Sequence, residues 1–142
     1  MLFYKQGEIN MRKVCLILFI LTVAFLSACG SNTWVLEKDR LNEVGSIENY
    51  VEQLQSNHTG FRGYRVFTIS EGKKMVVVSS GTSNQTLEFT GEDDSNNSTT
   101  ITVEKETKET DEENTYILIG IDQIKGELTV VSDSGEEYKE FE

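Results

Sequence analysis

The chain has 142 residues, no proline, two cysteines, one histidine and a formal net charge of −11. That length suits a single modest domain. The acidic surplus repels phosphate backbones and anionic headgroups, which argues against nucleic-acid binding and against electrostatic adhesion to a bilayer.

The first element reads as an export signal. Arg12-Lys13 precedes the run VCLILFILTVAFLSA (residues 14–28), and no charge appears before Glu37. A comfortable membrane-spanning helix takes roughly 20 apolar residues, whereas a signal-peptide core takes about 7–15. Leu26-Ser27-Ala28-Cys29 closes the run, with small residues beside a cysteine. This layout resembles the lipobox of bacterial lipoproteins. The resemblance implies that the Cys29 thiol receives a diacylglyceryl group, that signal peptidase cuts between Ala28 and Cys29, and that the new amino terminus is acylated. Two or three acyl chains, at about 0.8 kcal/mol per buried methylene, anchor durably where one chain holds weakly.

The expected organisation is a signal peptide at residues 1–28, a lipidated tether at 29–33 and one globular domain at 34–142. It sits on the extracytoplasmic side of the cell membrane. Met11-Arg12-Lys13 makes a conventional short basic start, so Met11 is an alternative initiation site. Cys15 leaves with the signal and Cys29 is acylated, so the mature domain has no disulfide and rests on its core.

Trp34, Val35 and Leu36 form an apolar docking segment. Ser46 is a good N-cap, and Ile47, Tyr50, Val51 and Leu54 fall at i, i+3, i+4 and i+7, which predicts an amphipathic helix ending near Asn57 and Gly60. The pattern then changes to strands at Tyr64–Ile69, Lys74–Ser79, Thr86–Phe89, Thr100–Glu104, Tyr116–Ile121, Leu128–Val131 and Tyr138–Phe141. Tyr116–Ile121 is almost wholly apolar, as befits a strand buried on both faces. With proline absent, Gly, Asn, Asp and Ser must make the turns. These elements predict an α+β fold, with one N-terminal helix packed on a mainly antiparallel curled sheet or small barrel of about six or seven strands.

The stretch Glu92-Asp93-Asp94-Ser95-Asn96-Asn97 is rich in oxygen ligands. It lacks the central glycine and distal glutamate of a calcium loop, so it reads as a solvated hairpin loop with no metal. Glu104–Asn114, EKETKETDEEN, reads as a charged, partly disordered loop that protects a sheet edge. His58 lies at the predicted helix end, where it suits the dipole. No nucleophile, zinc, phosphate-loop or dinucleotide motif accompanies it, so no catalytic residue and no cofactor are assigned. Trp34, Phe61, Tyr64 and Phe67 could line a pocket between helix and sheet, but read first as core.

The segment Gly72-Lys73-Lys74-Met75-Val76-Val77-Val78-Ser79-Ser80-Gly81, with Thr100–Lys105 and Tyr116–Ile121, distantly resembles the PrcB-type protease-complex subunit domain over about half the chain. Thr82-Ser83-Asn84-Gln85 stands where that family has Thr-Gly-Gly-Tyr, and Tyr116 lacks the neighbouring proline. The resemblance implies a similar β-rich topology and assigns no binding residue.

Together these features point to an acidic, non-enzymatic, lipid-anchored envelope protein that binds another envelope protein or a small ligand. A lipocalin-like carrier and an envelope hydrolase using paired carboxylates are the alternatives.

Overall fold

The computed structural model describes residues 32–95 and 97–142, apart from the side chains at positions 42 and 43. The predicted signal segment, with Ala28 and Cys29, lies outside the described residues. The elements in order are β1 (Thr33–Val35), a 3-10 turn (Lys38–Glu43), α1 (Gly45–Leu54), β2 (Arg62–Thr68), a short turn (Ser70–Gly72), β3 (Lys74–Ser80), β4 (Gln85–Ser95), β5 (Ser98–Thr107), β6 (Tyr116–Ile121), β7 (Glu127–Ser132) and β8 (Lys139–Glu140).

The strands form two open sheets, ordered β1-β6-β3-β2-β8 and β4-β5-β7. Among the described residues, only the β2–β8 and β5–β7 pairs are parallel. The α+β class and the mainly antiparallel pairing therefore hold. The barrel does not form. Closure requires the outermost strands to pair with each other, but the five-stranded sheet ends in β1, three residues long, and β8, two residues long. The long β4 pairs instead with β5 in a separate sheet. All seven expected strands are present, and the Trp34 segment adds an eighth as β1.

The five-stranded sheet is the middle of three layers. On one face Tyr64, Val76, Val78, Ile117, Ile119 and Ile121 meet Ile101, Val103 and Val130 of the second sheet. On the other, Met75, Val77, Tyr116 and Leu118 meet Ile47, Tyr50, Val51 and Leu54 of α1. This two-sided burial explains the unbroken apolar runs of β3 and β6. Each such aliphatic side chain contributes about 1.5–3 kcal/mol when fully buried.

The helical stripe packs as its spacing requires, but its start differs. Gly45 opens the helix, Val44 occupies the cap position, and no side chain caps it. Ser46 is inside the first turn, so packing of the apolar face, rather than a hydroxyl cap, stabilises this end.

Two supposed loops are ordered. Residues 92–95 continue β4, with Ser95 opposite Ser98 and their hydroxyls 2.7 Å apart. The charged segment after Glu104 runs on as β5 to Thr107. Its remainder is pinned to the β3–β4 connection: Lys108 N–H donates to the Asn84 carbonyl (2.9 Å), Thr110 N–H to Ser83 (3.0 Å) and Thr115 N–H to Thr82 (3.1 Å).

Asn114 ends that segment fully buried. Its Nδ2 donates to the carbonyls of His58 (3.0 Å) and Phe61 (2.9 Å), and its Oδ1 accepts from Gly81 N–H (2.7 Å). Its backbone exchanges hydrogen bonds with the Gln55 amide: N–H to Oε1 (3.1 Å) and carbonyl from Nε2 (2.7 Å). Next to it, Thr115 Oγ1 lies 2.5 Å from Ser80 Oγ and donates to the Gln85 carbonyl (2.5 Å). One residue, through side chain and backbone, thus ties the end of α1, the entry to β2, the exit of β3 and the entry to β6.

Asn114→Ala leaves Gly81 N–H without its acceptor, at about 1–3 kcal/mol, and takes one of two donors from the carbonyls of His58 and Phe61, which keep Phe61 N–H and Ser79 Oγ. We expect a loss of about 2 kcal/mol or more in denaturant unfolding, from that unpaired group and the hydrogen bonds removed beside it. Asn84→Ala, on the exposed connection nearby, should stay within about 0.5 kcal/mol of the wild type. Equal effects would show that the Asn114 knot is not structural.

Candidate functional site

β1 ends the five-stranded sheet and β4 ends the three-stranded one, and neither has a strand on its outer side among the described residues. A cleft of about 510 Å³ opens between these two edges. Val35, Leu87, Phe89 and Ile117 give it an apolar lining, and Glu37, Lys38, Glu88 and Glu112 give it a charged rim.

Each wall follows from alternation. In β1, Trp34 sits opposite Gly120, and Val35 opposite Ile119. A Cβ on Gly120 would fall 2.0 Å from the Trp34 ring, so the glycine lets the indole lie across β6. Val35 is consequently turned to the face of Ile119, where the second sheet has run out. It is 49% exposed and is the exposed large apolar side chain among the described residues. In β4, Phe89 sits opposite Val103 and faces inward, while Glu88 sits opposite Glu104 and faces out.

A β-bulge between Phe89 and Gly91 then shifts the register. Beyond it Glu92 pairs with Ile101 and Asp94 with Thr99, so two acidic side chains turn to the inner face. Burial, the hydrogen bond to Asp94 and the charge of Asp94 push the Glu92 carboxyl up to about 7. Asp94 accepts from Thr99 Oγ1 (3.0 Å), and its other oxygen lies 3.8 Å from Lys125 Nζ. This carboxyl pair is not in the cleft, whose β4 lining stops at Phe89. Among the described residues no cluster of three or more His, Cys, Asp or Glu side chains could hold a metal ion.

The rim is electrostatically one-sided. Lys38 Nζ is bonded to Glu112 (2.5 Å) and lies 4.2 Å over the Tyr116 ring. Burial, with Glu112 adding, pushes the Tyr116 phenol up to about 12. Glu37 and Glu88 have no ion-pair partner among the described residues, and the single lysine of the rim is already engaged.

The residues singled out from the sequence lie elsewhere. His58 marks the end of the helix, where its N–H donates to the Gln53 carbonyl (2.8 Å) and its ring meets Phe141 edge-on at 5.2 Å. Tyr64 is in the core between the sheets, and Phe61 and Phe67 pack on the helix side. None of these aromatics lines the cleft, which opens between sheet edges and not between helix and sheet. Leu87 and Phe89 carried a signal, their alternation around Glu88. Their proximity to Val35 and Ile117 had none, because those positions are far apart in sequence.

Among the described residues no helix is long and apolar enough to cross a membrane. No family model matches the chain, and no solved structure matches it. The chain is similar to the uncharacterized protein YycS of Bacillus subtilis (strain 168), with 45% identity over 127 residues, covering 87% of this chain and 91% of that protein.

The bulge carries a pH signature. Glu92 binds its proton more tightly folded than unfolded, so it supports the fold at low pH, and that support is lost as pH rises through about 7. Glu136 has the opposite sign, held down by hydrogen bonds from Arg62 and Lys105, but it is common to both proteins in a comparison at position 92. Glu92→Gln, which mimics the protonated acid, should match the wild type in thermal midpoint near pH 4.5 and exceed it at pH 8. A difference that does not change with pH would refute the re-aimed carboxyl.

Proposed function

The chain belongs to the family of the uncharacterized Bacillus protein YycS, and we propose that it is a lipid-anchored, non-enzymatic binding module of the bacterial cell envelope whose partner occupies the cleft between β1 and β4. The cleft is the observation that carries the binding reading: an apolar floor, two bare strand edges and an acidic rim converge on it. Concave sites of a few hundred Å³ with an apolar lining and few polar groups are the usual form of a binding site. The anchoring reading is supported by the basic pair, the short apolar run and Leu26-Ser27-Ala28-Cys29. A protein partner is favoured over a small molecule carried in a cup, because two open sheets enclose no barrel lumen. The hydrolase reading has little support, since the Glu92–Asp94 pair lies outside the cleft lining.

Anchoring and binding are tested separately. Cys29→Ser should move the protein from the membrane fraction to the soluble fraction, and the wild-type mass should show a diacylglyceryl group on Cys29. Retention of the serine variant in the membrane would overturn the anchor. A photo-crosslinking amino acid at Val35 should give a discrete adduct in the native host, while one at Thr68, exposed at the end of β2, should give none. Equal labelling at both positions would overturn the cleft as the binding site.

A further inference from the structure

We infer that the occupant of the cleft is an extended, lysine- or arginine-bearing polypeptide segment that pairs with the β4 edge over Thr86–Phe89; this deepens the binding reading above and rests on it. The first argument is the uneven protection of β4. A long bare strand edge invites pairing with another chain, and folds blunt it with bulges, inward charges, lysine or proline. The distal half of β4 has the bulge after Phe89 and two inward carboxyls, Glu92 and Asp94. The proximal half has no bulge, no inward carboxyl, no lysine and no proline, and its one charged side chain, Glu88, faces out. The Gln85 carbonyl is taken by Thr115, which leaves Thr86–Phe89 as the uncovered stretch, and these four residues are the β4 wall of the cleft.

The second argument is shape. A strand laid along Thr86–Phe89 would turn alternate side chains onto Leu87, Phe89 and Ile117. Val35, half-exposed on the facing edge, would be covered by it.

The third argument is charge. Glu88 lies directly opposite Glu104, and Glu106 lies two pairs further along, opposite Thr86. Like charges placed directly across a ladder cost stability. Glu37 adds to this field, and Lys38 is held by Glu112. An incoming strand with apolar side chains on the cleft floor would place its other alternate positions beside Glu88, on the same face as Glu104 one strand beyond, where cationic groups relieve the repulsion. The same charge disfavours a second copy of this chain, because pairing β4 with β4 would set acidic strands of two −11 chains side by side.

The test uses the full lipidated chain in detergent micelles. The probe is an acetylated nonapeptide of alternating lysine and valine. The comparison peptides are its glutamate–valine counterpart and a version N-methylated at alternate amides, which cannot complete a ladder. The lysine–valine peptide should bind in a salt-sensitive manner and slow amide exchange at 86–89, with each comparison peptide at least tenfold weaker. Glu88→Lys, which gains an opposite charge across from Glu104, should fold at least as stably and weaken the lysine–valine peptide at least tenfold. Equal binding of the glutamate or N-methylated peptide, protection on β7 or β8 instead of β4, or an unchanged affinity in Glu88→Lys would each overturn the inference. The Val35 crosslink reports occupancy whatever the occupant's chemistry. An adduct there with no binding of the lysine–valine peptide would sink the basic strand and leave the binding module standing; failure of both would sink both.

Discussion

The architecture is set by two strands that are apolar on both faces. β3 and β6 lie side by side in the five-stranded sheet, and neither can be left with a wet face. One amphipathic helix of ten residues covers one side. The other side needs a surface as wide as a sheet, and the β4-β5-β7 unit supplies it. The helix, the second sheet and the order in which the chain visits them are solutions to that burial problem. The cleft appears where the cover is incomplete, because β1 extends the middle layer past the last strand of the second sheet.

Apolar contacts alone would leave the layers free to slide, because hydrophobic burial has no direction. The polar knot around Asn114 supplies direction. Its amide accepts and donates only in one arrangement of four chain segments, and Ser79, Ser80 and Thr115 hydrogen-bond with their neighbours beside it. A buried network in which every member is satisfied fixes register as well as contributing stability. The Lys108–Thr115 stretch, highly charged on its outer side, is consequently held in place from within.

How much of this could be read from residues depended on range. The helix stripe at Ile47, Tyr50, Val51 and Leu54 and the strands β2, β3 and β6 declared themselves through local periodicity. The two-sheet split did not, because pairing preferences between strands are not written in either strand alone. Glu92–Ser95 looked like a loop because acidic residues are poor strand formers, yet the Thr-rich partner strand and the bulge accommodate them. Asn114 looked like the end of a solvated run, since its partners are at Gln55, His58, Phe61 and Gly81. The cleft was invisible for the same reason: Val35, Leu87 and Ile117 are brought together by topology.

β1 is at once the first strand of the domain and a wall of the cleft. Cys29 and Val35 are six residue steps apart, and a fully stretched chain gains about 3.3–3.6 Å per residue. With acylation at Cys29, Val35 could stand no further than roughly 25 Å from the glycerol of its own anchor, the cysteine side chain included. The opening would be leashed close to the lipid headgroups. An occupant would then be met within that distance of the bilayer surface.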